Sequence, residues 1–205
     1  MVVLFDFDGV LVDTETQYSV FWDSIGRDFL GVDGFGWTIK GQTLKQIYGN
    51  HIPSAEDQEK VTLRLDEFER NMSYDFLPGV ENFLRELKSA GVRTAIVTSS
   101  NDKKMANVYR AHPELTGLID RILTSEDFTK SKPDPECFLK GMEVLGGTPS
   151  DTVVFEDSIH GLSAGRSSGA RVIGLSTTFP AEKIAHLCDM VIPDFTSLSL
   201  SDLTA

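Results

Sequence analysis

The feature of this sequence that most limits its fold is a series of short apolar segments, separated by segments of helical periodicity. The first covers residues 2–5, contains no polar residue and stops at Asp6. An unbroken apolar run of this length is typical of a strand that is buried on both faces of a parallel sheet. Similar runs follow at residues 94–97, 121–124, 152–155, 171–174 and 190–192. This alternation predicts an α/β fold with a doubly wound, mostly parallel sheet.

One long segment interrupts the alternation. Between residues 14 and 78 the strand pattern is absent, and helical patterns cover residues 16–29, 43–48 and 54–72. We therefore predict an all-helical insertion at residues 14–78 in a Rossmann-like catalytic core formed by residues 1–13 and 79–205. Both ends of the insertion fall beside the end of the first strand, so we expect it to act as a cap domain over the carboxyl edge of the sheet.

The net charge of the chain limits the classes of molecule that it is expected to bind. The formal net charge is -12, spread along the sequence, which argues against nucleic-acid or anionic-membrane partners and favours a small molecule. No apolar run approaches the ~20 residues that a bilayer-spanning helix needs. Cys137 and Cys188 form no metal-binding or redox motif. We expect a cytoplasmic monomer.

Polar side chains follow four of the apolar runs, each where a strand is predicted to end. They are Asp6 and Asp8, Thr98, Ser99 and Ser100, Lys132, and Glu156 and Asp157. The carboxyl ends of parallel strands meet at one edge, which is where open α/β sheets bind ligands. We therefore expect these side chains to lie close together and to form the functional site.

The chemistry of these residue types indicates phosphoryl transfer. Clustered carboxylates repel one another unless a hard cation neutralises them, and an oxygen-only ligand set favours Mg²⁺. Asp6 and Asp8 share one face of an extended segment, so one can attack phosphorus while the other exchanges a proton with the leaving oxygen. Lys132 and Ser99 supply a positive charge and a hydroxyl for the phosphate.

Each feature also has a simpler explanation when it is considered alone. Asp8 followed by Gly9 is a common turn pair, and the residues at 98–100 and 156–157 are of types that cap helices. Lys132 before a proline is ordinarily a solvated loop charge. These explanations do not account for the convergence of all four features on one edge of the sheet.

The motifs resemble those of a known family. Residues 6–15, with the sequence DFDGVLVDTE, resemble the first motif of the haloacid dehalogenase-like superfamily, in its β-phosphoglucomutase-like branch with a small helical cap. Residues 97–100, 132–135 and 155–158 resemble the second, third and fourth motifs. The resemblance covers nearly the whole chain, including the insertion.

The resemblance implies a role for each matching position. Asp6 corresponds to the phosphoryl-accepting nucleophile, Asp8 to the acid/base, and Ser99 and Lys132 to the phosphate-holding groups, with Thr98 or Ser100 as alternatives to Ser99. The implied Mg²⁺ site consists of Asp6, the Asp8 carbonyl, Glu156 and Asp157. The predicted substrate-binding residues are Thr98, Ser100 and Asn101 in the core, and Tyr18, Gly41, Gln42, Lys45 and Arg64 in the cap.

The cap departs from the mutases of this branch at two positions. Leu44 stands where a mutase carries an arginine for the second phosphate, and Tyr18 replaces the expected histidine. These differences favour simple hydrolysis of a small phosphorylated metabolite, with a sugar or polyol phosphate as the expected class. A β-phosphoglucomutase-type mutase is the alternative. A signalling receiver domain is disfavoured, because it carries its acidic pair after the first strand and has no helical insertion.

Overall fold

The structure is a computed structural model that describes residues 1–40 and 42–203. The chain divides into two compact units. Unit 1 is formed by Met1–Asp13 together with the chain from Tyr74 onward, and unit 2 by Thr14–Ser73. The first boundary coincides with the start of the predicted insertion, whereas the second lies before the predicted residue 78.

Unit 1 is built on a parallel sheet. In the described chain this sheet has six strands in the order β3-β2-β1-β4-β5-β6, all parallel to their neighbours. The strands are β1 (Val2–Phe5), β2 (Arg93–Val97), β3 (Arg121–Leu123), β4 (Thr152–Glu156), β5 (Arg171–Leu175) and β6 (Met190–Ile192). Each apolar run of the sequence coincides with one of these strands. The predicted doubly wound α/β fold is confirmed.

The central strand β1 shows why its sequence is apolar throughout. Val2 and Leu4 pack in one hydrophobic cluster with Phe138 and Met142. On the other face, the ring of Phe5 lies 5.0 Å from that of Phe155, with the rings of Phe83 and Phe195 at 6.4 and 6.2 Å. Successive side chains of a strand point to opposite faces, so a strand covered on both sides has no position for a polar residue.

Helices cover the sheet of unit 1. They are α5 (Val80–Ser89), α6 (Asp102–Ala111), α7 (Leu115–Leu118), α8 (Glu136–Leu145), α9 (Ile159–Ser167) and α10 (Ala181–Ile184), with 3₁₀ turns at Ser125–Asp127, Pro149–Asp151, Ala185–Leu187 and Leu200–Leu203. Two of the helices that follow strands have side-chain N-caps. Asn101 caps α6 and Ser158 caps α9, each by accepting a hydrogen bond from a backbone N–H in the first turn.

Unit 2 is helical in its described residues. It contains α1 (Glu15–Ile25), continued by a π-helical segment at Gly26–Leu30, then α2 (Phe35–Thr38), α3 (Leu44–His51) and α4 (Ala55–Asn71). These helices bury their own core, in which Phe21, Trp22, Ile25 and Phe35 are nearly inaccessible. Among the described helices of the whole chain, none is long and apolar enough to cross a membrane.

The chain leaves and re-enters unit 1 through two adjacent segments. Asp13 N–H donates to the Asp75 carbonyl at 2.9 Å, and Leu77 N–H donates to the Leu11 carbonyl at 2.9 Å. Val12 and Phe76 pair as an antiparallel bridge between them. The helical unit is therefore inserted in the chain between two segments of unit 1 that pair with each other after β1.

Candidate active site

The predicted polar residues of the core meet at the carboxyl edge of the sheet. Strand β1 pairs with both β2 and β4 in register, so the residues that follow these three strands are neighbours. Lys132, in the segment between β3 and α8, reaches the same place. The edge thus holds side chains that are far apart in the sequence, as expected for an open α/β sheet.

A buried lysine joins two of the carboxylates. Lys132 Nζ donates to Asp6 Oδ1 at 2.6 Å and to Glu156 Oε1 at 2.7 Å, and its third contact is the Val97 carbonyl at 3.3 Å. The Lys132 side chain is 8% exposed. Burial acts to lower the pKa of Lys132, but the charges of Asp6 and Glu156 outweigh burial and raise this pKa above its ordinary value. Lys132 is therefore a fixed positive charge beside Asp6.

The environment of Asp6 disfavours its ionised form. Burial is the largest of several effects on the pKa of Asp6 and raises it, Lys132 lowers it, and the nearby charges of Glu156 and Asp8 raise it; together they place this pKa at about 7. A nucleophilic carboxylate must be ionised, so this site requires more positive charge than Lys132 alone provides.

Glu156 is held from several sides. Its Oε2 accepts hydrogen bonds from the Asp157 and Ser158 backbone N–H groups, both at 2.8 Å, and from Ser158 Oγ at 3.0 Å. Gly161 makes this position possible, because a Cβ on that residue would lie 1.7 Å from Glu156 Oε1. Both oxygens of Glu156 are thus engaged by the protein, and its carboxylate orients Lys132 and the loop that follows β4.

An acidic triad forms a possible metal site. One carboxylate oxygen each of Asp6, Glu156 and Asp157 lies within 4.8 Å of the other two. Glu156 and Asp157 are 1% and 3% exposed. Asp157 Oδ2 accepts a hydrogen bond from Thr178 Oγ1, a contact that fixes the orientation of the carboxylate.

The donor set of the triad fits a hard divalent cation. It consists only of carboxylate oxygens, which such cations prefer. In the network around this triad, Asp6, Asp8, Glu156 and Asp157 carry four negative charges, and the ammonium groups of Lys104 and Lys132 carry two positive charges. One divalent cation would balance the excess of two negative charges, and the charges of Glu156 and Asp8 add to the effect of burial in raising the pKa of Asp6.

Asp8, the second aspartate of the first motif, forms an ion pair with a different lysine, Lys104. Lys104 Nζ lies 2.6 Å from both Asp8 Oδ1 and Asp8 Oδ2, and Ser100 Oγ donates to Asp8 Oδ2 at 2.9 Å. Lys104 is 4% exposed, whereas the Asp8 side chain is 19% exposed. The two aspartates of the motif are therefore held by different cations, Lys132 for Asp6 and Lys104 for Asp8.

The backbone after Asp8 turns at Gly9. Its φ is +71°, a left-handed conformation that residues with a side chain rarely adopt. Gly9 N–H donates to the Val12 carbonyl at 2.9 Å, and the Gly9 carbonyl accepts a hydrogen bond from Thr177 Oγ1 at 2.5 Å. The segment after β5 thus fixes the loop that carries Asp8.

The residues of the second motif differ in their surroundings. Thr98 is 1% exposed, and its hydroxyl accepts a hydrogen bond from Ser100 N–H at 3.0 Å. Ser99 is exposed. Ser100 contacts Asp8, and Asn101 Oδ1 accepts a hydrogen bond from Lys104 N–H at 2.8 Å as the N-cap of α6. Ser100 is therefore the member of this group whose side chain donates a hydrogen bond to Asp8.

The predicted cap residues make contacts within unit 2. Tyr18 donates to Glu69 Oε1 at 2.9 Å, and Arg64 pairs with Asp28 at 2.6 Å. Gln42 Nε2 lies 3.4 Å from the Thr38 carbonyl, and Lys45 is exposed. Gly41 lies outside the described residues. A role for these residues in substrate binding stays a prediction.

Three residues of the site were not predicted. Lys104, Thr177 and Thr178 contact Asp8, Gly9 and Asp157 respectively. The two threonines follow β5 after one intervening residue, Ser176, so the rule that selected residues after the other strands would also have selected them. Lys104 carries no such signal, because it lies inside a helix.

Comparison with known proteins identifies the family. Residues 3–175 match the model of the haloacid dehalogenase-like hydrolase family. The chain is 28% identical to validoxylamine A 7'-phosphate phosphatase of Streptomyces hygroscopicus subsp. limoneus, over 96% of this chain and 95% of that one. It is 24% identical to glycerol-1-phosphate phosphohydrolase 1 of Saccharomyces cerevisiae, over 98% and 85% of the two chains.

A solved structure agrees with the fold. The crystal structure of a HAD hydrolase of family IA, variant 3, from Entamoeba histolytica superposes with a TM-score of 0.87 at 24% identity, covering 98% of this chain and 96% of that one. Together with the family match over most of the sequence, the fold and the motifs show that this chain belongs to the haloacid dehalogenase-like hydrolase family.

Proposed function

We propose that this protein is a Mg²⁺-dependent phosphatase that hydrolyses a small phosphorylated metabolite through an aspartyl-phosphate intermediate on Asp6. The observation that carries the proposal is the environment of Asp6, which lies beside the buried cation of Lys132 and within an acidic triad. The broader prediction, a phosphoric monoester hydrolase, is confirmed by the family match and by the phosphatases among the relatives.

In the first step, an Asp6 oxygen bonds to phosphorus while the bond from phosphorus to the ester oxygen breaks. Lys132 holds the Asp6 carboxylate at 2.6 Å and offers positive charge to the phosphoryl oxygens. Asp8 donates a proton to the leaving alcohol oxygen. The products of this step are the free alcohol and an acyl phosphate on Asp6.

In the second step, Asp8 takes a proton from a water molecule, and the water oxygen bonds to phosphorus as the bond to Asp6 breaks. Inorganic phosphate leaves and the Asp6 carboxylate is restored. Asp8 donates one proton in the first step and gains one from water in the second, so it returns to its initial protonation state.

Asp6 and Asp157 would hold Mg²⁺ together with the Asp8 carbonyl, while Glu156 supports the site through Lys132 and the β4 loop. The bound ion would supply the positive charge that lets a carboxylate approach a phosphate. The oxygen-only donor set and the excess of negative charge support this assignment.

Hydrolysis is favoured over a mutase reaction by two residues of the insertion. Leu44 packs against the hydrophobic core of unit 2, and the Tyr18 hydroxyl is bonded to Glu69. Neither supplies the basic group that a mutase uses for the second phosphate of a bisphosphate. A sugar or polyol phosphate is the proposed substrate class, in keeping with relatives that act on validoxylamine A 7'-phosphate and glycerol 1-phosphate. A cytoplasmic monomer without nucleic-acid or membrane partners completes the proposal.

A phosphate-release screen tests this function. Sugar phosphates, polyol phosphates, nucleotides and pyrophosphate are incubated with the protein and Mg²⁺, with Asp6→Asn as the control. We expect release of inorganic phosphate from at least one sugar or polyol phosphate, and none from the variant. Full activity of Asp6→Asn would refute the mechanism. Transfer of phosphate between positions of one sugar, without free phosphate, would support the mutase instead.

A further inference from the structure

We propose that Lys104 is a positioning residue that, with Ser100, fixes the place of the Asp8 carboxylate for proton transfer to the leaving group. The inference rests on the proposed function, in which Asp8 is the acid. Its basis is the pair of 2.6 Å contacts between Lys104 Nζ and the two Asp8 oxygens.

The location of Lys104 is unfavourable for a lysine in two respects. It is 4% exposed, and an ammonium ion loses several kcal/mol of hydration when it is buried without compensation. It also lies in the first turn of α6, where the helix dipole disfavours positive charge. Helix formation therefore does not explain this residue, whereas the Asp8 carboxylate compensates both effects.

Hydrogen bonds in the surrounding chain hold the Lys104 and Ser100 residues in place. Lys104 N–H is capped by Asn101 Oδ1 at 2.8 Å. Ser100 N–H donates to Thr98 Oγ1 at 3.0 Å, and the Ser100 carbonyl accepts from Ser125 N–H at 3.0 Å. Donors fixed in this way restrict the Asp8 carboxylate to one orientation, and misplacement of a catalytic group by about 1 Å can reduce a rate by roughly 100-fold.

The role predicts an effect that depends on the leaving group. A weakly basic leaving group such as p-nitrophenolate departs without a proton, whereas the phenolate of phenyl phosphate benefits more from one. We expect Lys104→Met to lower kcat/KM for phenyl phosphate by roughly 100-fold and for p-nitrophenyl phosphate by less than about 5-fold. Competitive inhibition by inorganic phosphate should stay within about twofold of wild type, because the phosphate-holding groups are unchanged.

Variants of neighbouring residues serve as references. Ser100→Ala removes a neutral hydrogen-bond donor to the same carboxylate. It should lower kcat/KM less than Lys104→Met does, and again more for phenyl phosphate than for p-nitrophenyl phosphate. Lys103→Met removes an equal charge from an exposed neighbour in the same turn, and should not discriminate between the two esters. Lys104→Gln retains a donor at this position, so it is measured alongside Lys104→Met in case the latter does not fold.

A double-mutant cycle with Asp8→Asn decides the question. If Lys104 acts through Asp8, adding Lys104→Met to Asp8→Asn should change kcat/KM no further. The inference would be overturned if the losses of kcat/KM in the two single variants were additive in the double variant. It would also be overturned if Lys104→Met lowered kcat/KM equally for both esters and weakened inhibition by phosphate, which would make Lys104 a phosphate ligand. Failure of the proposed function would be recognised by a different result. Asp8→Asn would then lower kcat/KM equally for phenyl phosphate and p-nitrophenyl phosphate, whatever the effects of the Lys104 variants.

Discussion

Gly161→Ala is the substitution whose effect can be derived most directly from the site. An alanine Cβ would lie 1.7 Å from Glu156 Oε1, 1.9 Å from Cδ and 2.3 Å from Oε2. Close-packed interiors do not absorb such an overlap, so the carboxylate or helix α9 must shift by more than about 1 Å. Either shift separates Glu156 from Lys132, which is now 2.7 Å away.

The loss of stability in Gly161→Ala should be large because Glu156 is buried and charged. Breaking a buried ion pair costs roughly 3–5 kcal/mol, whereas alanine in place of a helical glycine contributes up to about 1 kcal/mol of stability. We therefore expect the free energy of unfolding to fall by about 3 kcal/mol, out of a typical total of about 5–15 kcal/mol. For a chain of this size, Tm should fall by about 6–12 °C.

The assay is urea denaturation followed by circular dichroism, with Gly49→Ala as the matched control. Gly49 also lies in a helix, but an added Cβ there would meet nothing within 4 Å. The control should be as stable as wild type or more stable by up to about 1 kcal/mol. If Gly161→Ala behaves like this control, Glu156 is not held against Gly161 and Lys132 as described.

Three further substitutions test the metal site and its lysine. Asp157→Asn should abolish most of the rise in Tm that Mg²⁺ produces in a thermal-shift assay, because the triad loses a charged ligand, and an undiminished rise would contradict this. Thr178→Val should weaken Mg²⁺ binding at least about tenfold by calorimetric titration, whereas Thr178→Ser should not, and equal affinities would contradict the orienting role. Lys132→Met leaves Asp6 and Glu156 without their cation, so urea denaturation should show a loss of about 3 kcal/mol, and unchanged stability would contradict it.

The sheet was predictable because its sequence signal is local. Residues 2–5 are apolar without interruption since Val2 and Leu4 face one hydrophobic cluster, and Phe5 faces an aromatic cluster on the other side. The same constraint acts on every strand that is covered on both faces. The pattern in one short segment therefore reports its burial without knowledge of its neighbours.

The convergence at the sheet edge was predictable for a related reason. Parallel strands end on the same side, so residues after β1, β2 and β4 must be neighbours once the strand order places these strands together. Topology thus explains the meeting of Asp6 with Glu156, 150 positions later in the chain, without knowledge of any side chain.

Lys104 was not predictable from the sequence. Its position in the first turn of a helix gives no signal of contact with a carboxylate 96 residues away. The same limitation applies to the insertion, where nothing in the sequence indicated the ion pair between Arg64 and Asp28. Contacts of long side chains depend on tertiary packing, which a local pattern does not record.

Identification of the phosphorylated residue tests the central claim most directly. The protein is mixed with Mg²⁺ and a substrate from the screen, quenched within one turnover, reduced with borohydride to convert acyl phosphate to an alcohol, and digested for mass spectrometry. We predict conversion at Asp6 alone, and none in Asp6→Asn. Modification at another residue, or turnover without any phosphorylated intermediate, would contradict the account.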